Sequence, residues 1–292
     1  SSCRWRIVGS CRSWPASVIE ALVALRGVND GAHCTEDHPG STRDVAVRTL
    51  QGCEPIMHLS RRDGALDLLK WLALLSMLLD HLRYVGISAD WLYVPGRLAF
   101  PWFCLAMAAN LARDGARKTE WRYLGWLLLF SAVSEIPYRL YIPEPDTLNV
   151  MPTLALGLLV ARGWQARALI SRLLAVGALL LAAMFPERLM FGLFGVLLPL
   201  AMLLVFRKPW FFSLLPGLVC LAANQWRVLY ESAQFGNQVA ILGIATCLMA
   251  PLLGMFLLRH ATYLHAPPMR RWAYALYPAH FVVLLALRQL LV

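Results

Sequence analysis

Four titratable side chains sit inside one apolar run near the start of the second fifth of the chain: Asp67, Lys70, Asp80 and His81. An ionisable group deep in a bilayer costs roughly 3 kcal/mol or more, so such residues mark reaction or transport sites by default. Lys70 and His81 are eleven residues apart. On a helix that is three turns plus about 20°, so both leave one stripe, separated by about 16 Å along the axis. Asp67 lies three residues before Lys70 and is placed to pair with it. His81 is the candidate catalytic group, because a neutral imidazole is a suitable base near pH 7. Asp80 is its candidate partner. In the bland alternative, Asp67 and Lys70 flank the membrane and snorkel toward water.

Further polar residues fall in the outer halves of later apolar runs. Arg97 follows Gly96. Glu135, Tyr138 and Arg139 stand in Ser-Glu-Ile-Pro-Tyr-Arg, and Asn149 opens the next run. These are expected to line a site near His81, against the alternative of a structural ion pair between Glu135 and Arg97 or Arg139. In the last run, Leu-Tyr-Pro-Ala-His sets Tyr277 and His280 near mid-membrane, as a site wall or as a hydrogen-bonded structural histidine. This set suits general-base group transfer. It also suits a proton relay in a proton-coupled transporter, and the residues alone do not separate the two. The chain has no glycine-rich phosphate loop, no His-Glu-x-x-His and no Gly-x-Ser-x-Gly, so kinase, zincin and hydrolase readings find no support. No metal site is expected, since no Cys-x-x-Cys spacing occurs.

The elements that must hold these residues follow from composition. Hydrophobic residues make up 59% of the 292 and charged ones 15%, with a mean hydropathy of +0.57. That apolar excess exceeds what one soluble core hides, which makes lipid the expected surroundings. Apolar runs at 66–84, 92–112, 121–141, 147–162, 166–184, 189–206, 210–224, 238–258 and 271–291 predict an all-α bundle of about nine transmembrane helices, the fourth and seventh being short. Pro101, Pro152, Pro199, Pro216, Pro251 and Pro278 fall inside runs and are expected to kink them. Alternate loops collect thirteen Lys and Arg, among them Arg61, Arg62, Arg117, Lys118, Arg207, Lys208, Arg270 and Arg271. The opposite loops hold Arg83, Arg139, Arg188, Arg227 and Arg288. The positive-inside rule then sets the N-terminus in the cytoplasm and the C-terminus outside. The net charge of +10 is spread between apolar runs, not gathered on one face, so nucleic acid is not an expected partner. Cys104, Cys220 and Cys247 read as small buried apolar residues. Residues 1–56 are polar and mixed, and the expectation is a disordered or non-native extension before a membrane domain of 57–292 starting at Met57.

Several stretches resemble, in order, the TraX family. They are Asp67-Leu-Leu-Lys70 through Asp80-His81, Gly96-Arg97-Leu-Ala-Phe-Pro101, Ser134-Glu-Ile-Pro137-Tyr, Asn149-Val-Met-Pro-Thr-Leu-Ala-Leu-Gly157, Phe191-Gly-Leu-Phe-Gly and Tyr277-Pro-Ala-His280. The Lys70-x10-His81 spacing also resembles the Arg/Lys-x10-His pattern of membrane acyltransferases that use acyl-CoA. The resemblance implies a multi-pass acetyltransferase of a bacterial inner membrane, with acetyl-CoA as co-substrate and no metal. Its founding member acetylates the amino terminus of pilin, so a pilin-like protein is the implied acceptor, with an envelope glycan as the alternative. His81 would then be the catalytic histidine, Asp80 its motif neighbour, and Lys70 with Asp67 the donor-binding end.

Overall fold

The computed structural model describes residues 64–86, 89–114, 119–142, 144–206, 213–261, 264, 266–269 and 272–291. The expectation for residues 1–56 lies outside them. All regular structure among the described residues is helical. In order the helices are α1 (Gly64–Leu82), the four-residue α2 (Tyr93–Gly96), α3 (Ala99–Asp114), α4 (Thr119–Tyr141), α5 (Val150–Gln165) and α6 (Leu169–Met184). There follow α7 (Gly192–Val205), α8 (Leu215–Ala223), α9 (Trp226–Gln234), α10 (Gln238–His260) and α11 (Ala273–Leu291). Three segments are long and apolar enough to cross a membrane by length and composition: Asp90–Arg113, Gln238–His260 and Ala273–Leu291. Helix α1 matches them in length but carries Asp67, Lys70 and Asp80.

Two expected helices are rebuilt. The run 92–112 is broken after Gly96, and α3 begins at Ala99. Pro101 has no N–H to give to the carbonyl of Arg97, and its ring crowds that carbonyl, so the helix steps aside there. Among the described residues of the run 210–224, the α-helix is the nine-residue α8, and a second short helix, α9, follows it across Asn224 and Gln225. Gln225 takes a left-handed φ of 55°, which turns the chain between them.

The prolines divide into two groups. Pro137, Pro199, Pro251 and Pro278 lie within helices, as a kinking proline does. Pro101, Pro152 and Pro216 instead stand in first turns, where a missing N–H leaves no bond unmade.

The core is drawn chiefly from α1, α3, α5 and α7 with the inward faces of α10 and α11. Cys104, Cys220 and Cys247 are buried in it, as read from the sequence. Close packing uses small residues. A methyl on Gly157 would lie 2.7 Å from Pro199 Cγ, and one on Gly163 would run into Ala175 Cβ. Such contacts let helix backbones approach without bulky side chains between them. The outward faces are apolar instead of charged. Leu128, Leu129, Ile136 and Leu140 on α4, Leu169, Ile170 and Leu173 on α6, and Val282 and Val283 on α11 are all exposed. A surface so continuous in large apolar side chains is that of a membrane protein.

Candidate active site

Helix α1 sets Lys70, Leu74, Met77 and His81 at intervals of four, three and four residues, so they form one stripe. Lys70 Nζ lies 3.4 Å from Asp67 Oδ1, the pair the spacing predicts. The first three stripe residues line a cavity of about 460 Å³. Lys70 and Arg122 supply positive charge there, and Asn110 an amide. Tyr123, Trp126 and Tyr274 form an aromatic wall, with Trp126 and Tyr274 stacked at 6.1 Å. Met77, Val150, Met151 and Tyr277 also line it; neither His81 nor His280 does, although each is one turn beyond a lining residue of its own helix.

Past Met77 and Tyr277 two histidines meet. Nε2 of His280 lies 3.1 Å from Nδ1 of His81, joining α11 to α1 across 199 residues of sequence. The ring centroids are 5.0 Å apart, and Phe281 packs on both rings, at 5.0 Å from His81 and 3.9 Å from His280. His280 is buried, while His81 keeps partial exposure. The Tyr141 hydroxyl donates to the His81 carbonyl, and Arg288 donates to the Tyr141 carbonyl at 2.8 Å. The backbone that carries His81 is thus tied to α4 and, through it, to the end of α11.

Asp80 faces elsewhere. Its Oδ1 accepts from Arg83 Nη2 at 2.9 Å and its Oδ2 from Arg97 Nη2 at 2.8 Å. Arg97 reaches on to Asn224 Oδ1 at 2.7 Å and lies 4.1 Å over the Tyr93 ring. Asn224 in turn donates to the Cys220 carbonyl at 2.8 Å. Arg97 stands just past the end of α2 and meets Asp80 of α1 from there. Gly96 has no side chain to obstruct: a methyl there would fall 2.5 Å from Asp80 Cβ.

The remaining predicted residues form a third cluster. Glu135 Oε1 accepts from Arg139 Nε at 2.8 Å, so Arg139 and not Arg97 is its ionic partner. Glu135 Oε2 accepts from the Asn149 amide at 2.7 Å and from its backbone N–H at 3.1 Å. Asn149, fully buried, also caps α5 by accepting from Met151 N at 3.0 Å. Tyr138 shares a 3.2 Å hydrogen bond with Thr147. The Tyr277 hydroxyl accepts from Val150 N at 3.3 Å, and its ring lies 5.3 Å from that of His280. Glu135, Asn149 and Tyr277 therefore brace the α5 start beside His280 without touching His81. Sequence reading missed Tyr141, Asn224, Arg83 and Phe281. Only the polar three carried a signal, as isolated hydrogen-bonding groups at the ends of apolar runs. Among the described residues, no three His, Cys, Asp or Glu side chains gather as metal ligands would.

Fold and site together define an all-helical membrane protein with a hydrogen-bonded histidine pair one turn beyond the lining of a basic, aromatic-walled cavity. The chain belongs to the TraX family: the family model described as TraX protein matches residues 65–288. Two Escherichia coli proteins named Protein TraX, one of them from strain K12, are each 34% identical over 82 residues. Those matches cover 27% of this chain, and the chain spans 32% of the length of these relatives. No solved structure matches it.

Proposed function

We propose that this chain is a multi-pass acetyltransferase of a bacterial inner membrane. It moves an acetyl group from cytoplasmic acetyl-CoA to an acceptor at the outer face. In this reading all nine apolar runs span or enter the bilayer, with the N-terminus in the cytoplasm. The observation that carries the proposal is the cavity lined by Lys70, Leu74 and Met77, three residues of the helix stripe that ends at His81, with Arg122 as a second cation in its lining. Its volume is in the range of ligand sites, and its lining suits a slender, largely apolar arm bearing an anionic head. The polyphosphate end of the donor stays with Lys70 and Arg122, and the thioester goes inward. Met77, unbranched and flexible, is the floor residue that turns aside to admit it.

His81 then acts as base. The acceptor nitrogen attacks the thioester carbonyl and gives its proton to the imidazole. A C–N bond forms, the C–S bond breaks, and the proton passes to the departing thiolate to give free CoA. In a two-step route His81 would carry the acetyl group itself, and acetylated His81 captured by rapid quench would mark it. The amino terminus of a pilin-like protein is the acceptor we favour from the family, with an envelope glycan hydroxyl as the other candidate.

The test uses the full chain in proteoliposomes with labelled acetyl-CoA and a pilin amino-terminal peptide. Label should appear on the terminal amine, and His81→Ala should abolish it while the protein stays monodisperse. Undiminished transfer by that variant removes His81 from the mechanism. A proton-coupled transporter is the second reading, because hydrogen-bonded histidines also suit a relay. It predicts proton flux into the same vesicles without acceptor or acetyl-CoA.

A further inference from the structure

We infer that His280 is the positioning residue for His81: it holds the His81 ring in the tautomer whose free nitrogen, Nε2, faces the reaction. The inference rests on the reading of His81 as the base.

A catalytic histidine usually has its second nitrogen held by a carboxylate or a carbonyl, which fixes its tautomer. The nearest acid in sequence, Asp80, is taken by Arg83 and Arg97. The group that meets His81 Nδ1 is instead His280 Nε2, at 3.1 Å. Two neutral imidazoles facing nitrogen to nitrogen share one proton, so the tautomer of one dictates that of the other. If His280 Nε2 accepts, His81 Nδ1 donates, and His81 Nε2 is left with its lone pair. If His280 Nε2 donates, His81 Nε2 must carry a proton and is no base.

The surroundings of His280 favour the first state. Its Nδ1 is buried, and the backbone of Tyr277 and Leu276 lies beside the ring, one turn back, without meeting hydrogen-bond geometry in this conformation. Helix carbonyls of the preceding turn point that way and can only accept, so we assign the proton to Nδ1. That leaves Nε2 of His280 as the acceptor toward His81. Phe281 packs on both rings and restrains their rotation. The Tyr141 hydroxyl holds the His81 carbonyl, which limits movement of the backbone beneath the ring. When His81 takes the proton of the attacking amine, its Nδ1–H remains bonded to His280, and the new positive charge keeps a partner. No proton leaves the pair in this step; the one received at Nε2 goes on to the thiolate.

The test compares full-length wild type, His280→Ala, His280→Gln, and His81→Ala in lipid nanodiscs. His280→Ala should lower kcat by about 10–100-fold, the usual cost of losing an orienting partner, with the KM for acetyl-CoA unchanged. His280→Gln offers an amide oxygen to His81 Nδ1–H and should recover most of that loss. Nitrogen-15 spectroscopy of ring-labelled histidine reads the tautomer without any turnover. It should report His81 protonated at Nδ1 in wild type and a mixed population in His280→Ala. A wild-type His81 protonated at Nε2 overturns the inference, as does a His280→Ala protein with wild-type kcat when His81→Ala is inactive. Activity in His81→Ala would instead bring down the base reading itself. If His280→Ala does not fold, His280→Gln and the wild-type tautomer still decide.

Discussion

Arg97 Nη2 lies 2.8 Å from Asp80 Oδ2, and this ion pair joins the helix break after Gly96 to the last turn of α1, next to His81. Both side chains are mostly withdrawn from solvent, at 13% and 17% exposure. Removing one member of such a pair strands the other. Arg97→Ala should therefore destabilise the protein by about 3 kcal/mol, moderated by the Arg83 contact that Asp80 keeps. Thermal unfolding in detergent measures it, with Asp80→Asn and the double variant completing a cycle. Additive losses would mean the pair is not coupled.

Gly96→Ala tests the same joint by steric means. The new methyl would meet Asp80 Cβ, Cγ and Oδ1 at 2.5, 2.6 and 2.7 Å. Crowding of this kind costs about 1–3 kcal/mol. Activity should fall together with stability, because the turn that carries His81 moves with Asp80. A Gly96→Ala protein as stable and as active as wild type would show that α1 can shift freely at this point.

Asn149→Ala should cost about 2–3 kcal/mol. It deletes the cap on Met151 N and takes one donor from the Glu135 carboxylate. Asn149→Asp keeps the cap but sets two carboxylates together, so it should be no better. Chemical denaturation in mixed micelles ranks the three proteins, and an Asn149→Asp protein equal to wild type would contradict the assigned roles.

On the proposed reading, Lys70→Gln separates donor binding from chemistry. Loss of one charge-assisted contact, about 1.4 kcal/mol, should raise the KM for acetyl-CoA about tenfold with kcat little changed. The effect should shrink at high salt, since ionic contacts near water are screened. A fall in kcat at constant KM would move Lys70 from the donor head to the reacting group.

Much of this arrangement was legible because it is local. The Lys70 to His81 stripe follows from helical period alone, and Asp67 beside Lys70 from a three-residue step. Glu135 with Arg139 is equally a neighbour on one helix turn. The His81–His280 bond is not local: it depends on how α11 packs against α1, and nothing in Leu-Tyr-Pro-Ala-His names its partner. Asp80 illustrates the opposite error. Adjacent residues on a helix point about 100° apart, so proximity in sequence to His81 set Asp80 toward Arg97 instead of toward the imidazole. Asn224 closes the expected run 210–224, but nothing there showed that a short helix would follow and leave its amide facing Arg97. The break after Gly96 was foreshadowed by Pro101, but a proline marks a kink without saying which side chain the kink releases.

Met77 and Tyr277 line the cavity, each one turn before a histidine of its own helix that does not line it. A membrane that stores energy as an ion gradient tolerates no standing water column from one face to the other. On the proposed reading, the Met77 and Tyr277 side chains keep cavity and histidines apart at rest, and the donor arm itself would plug the opening during transfer. Such a protein would conduct a chemical group across the barrier while leaving the voltage of the membrane intact.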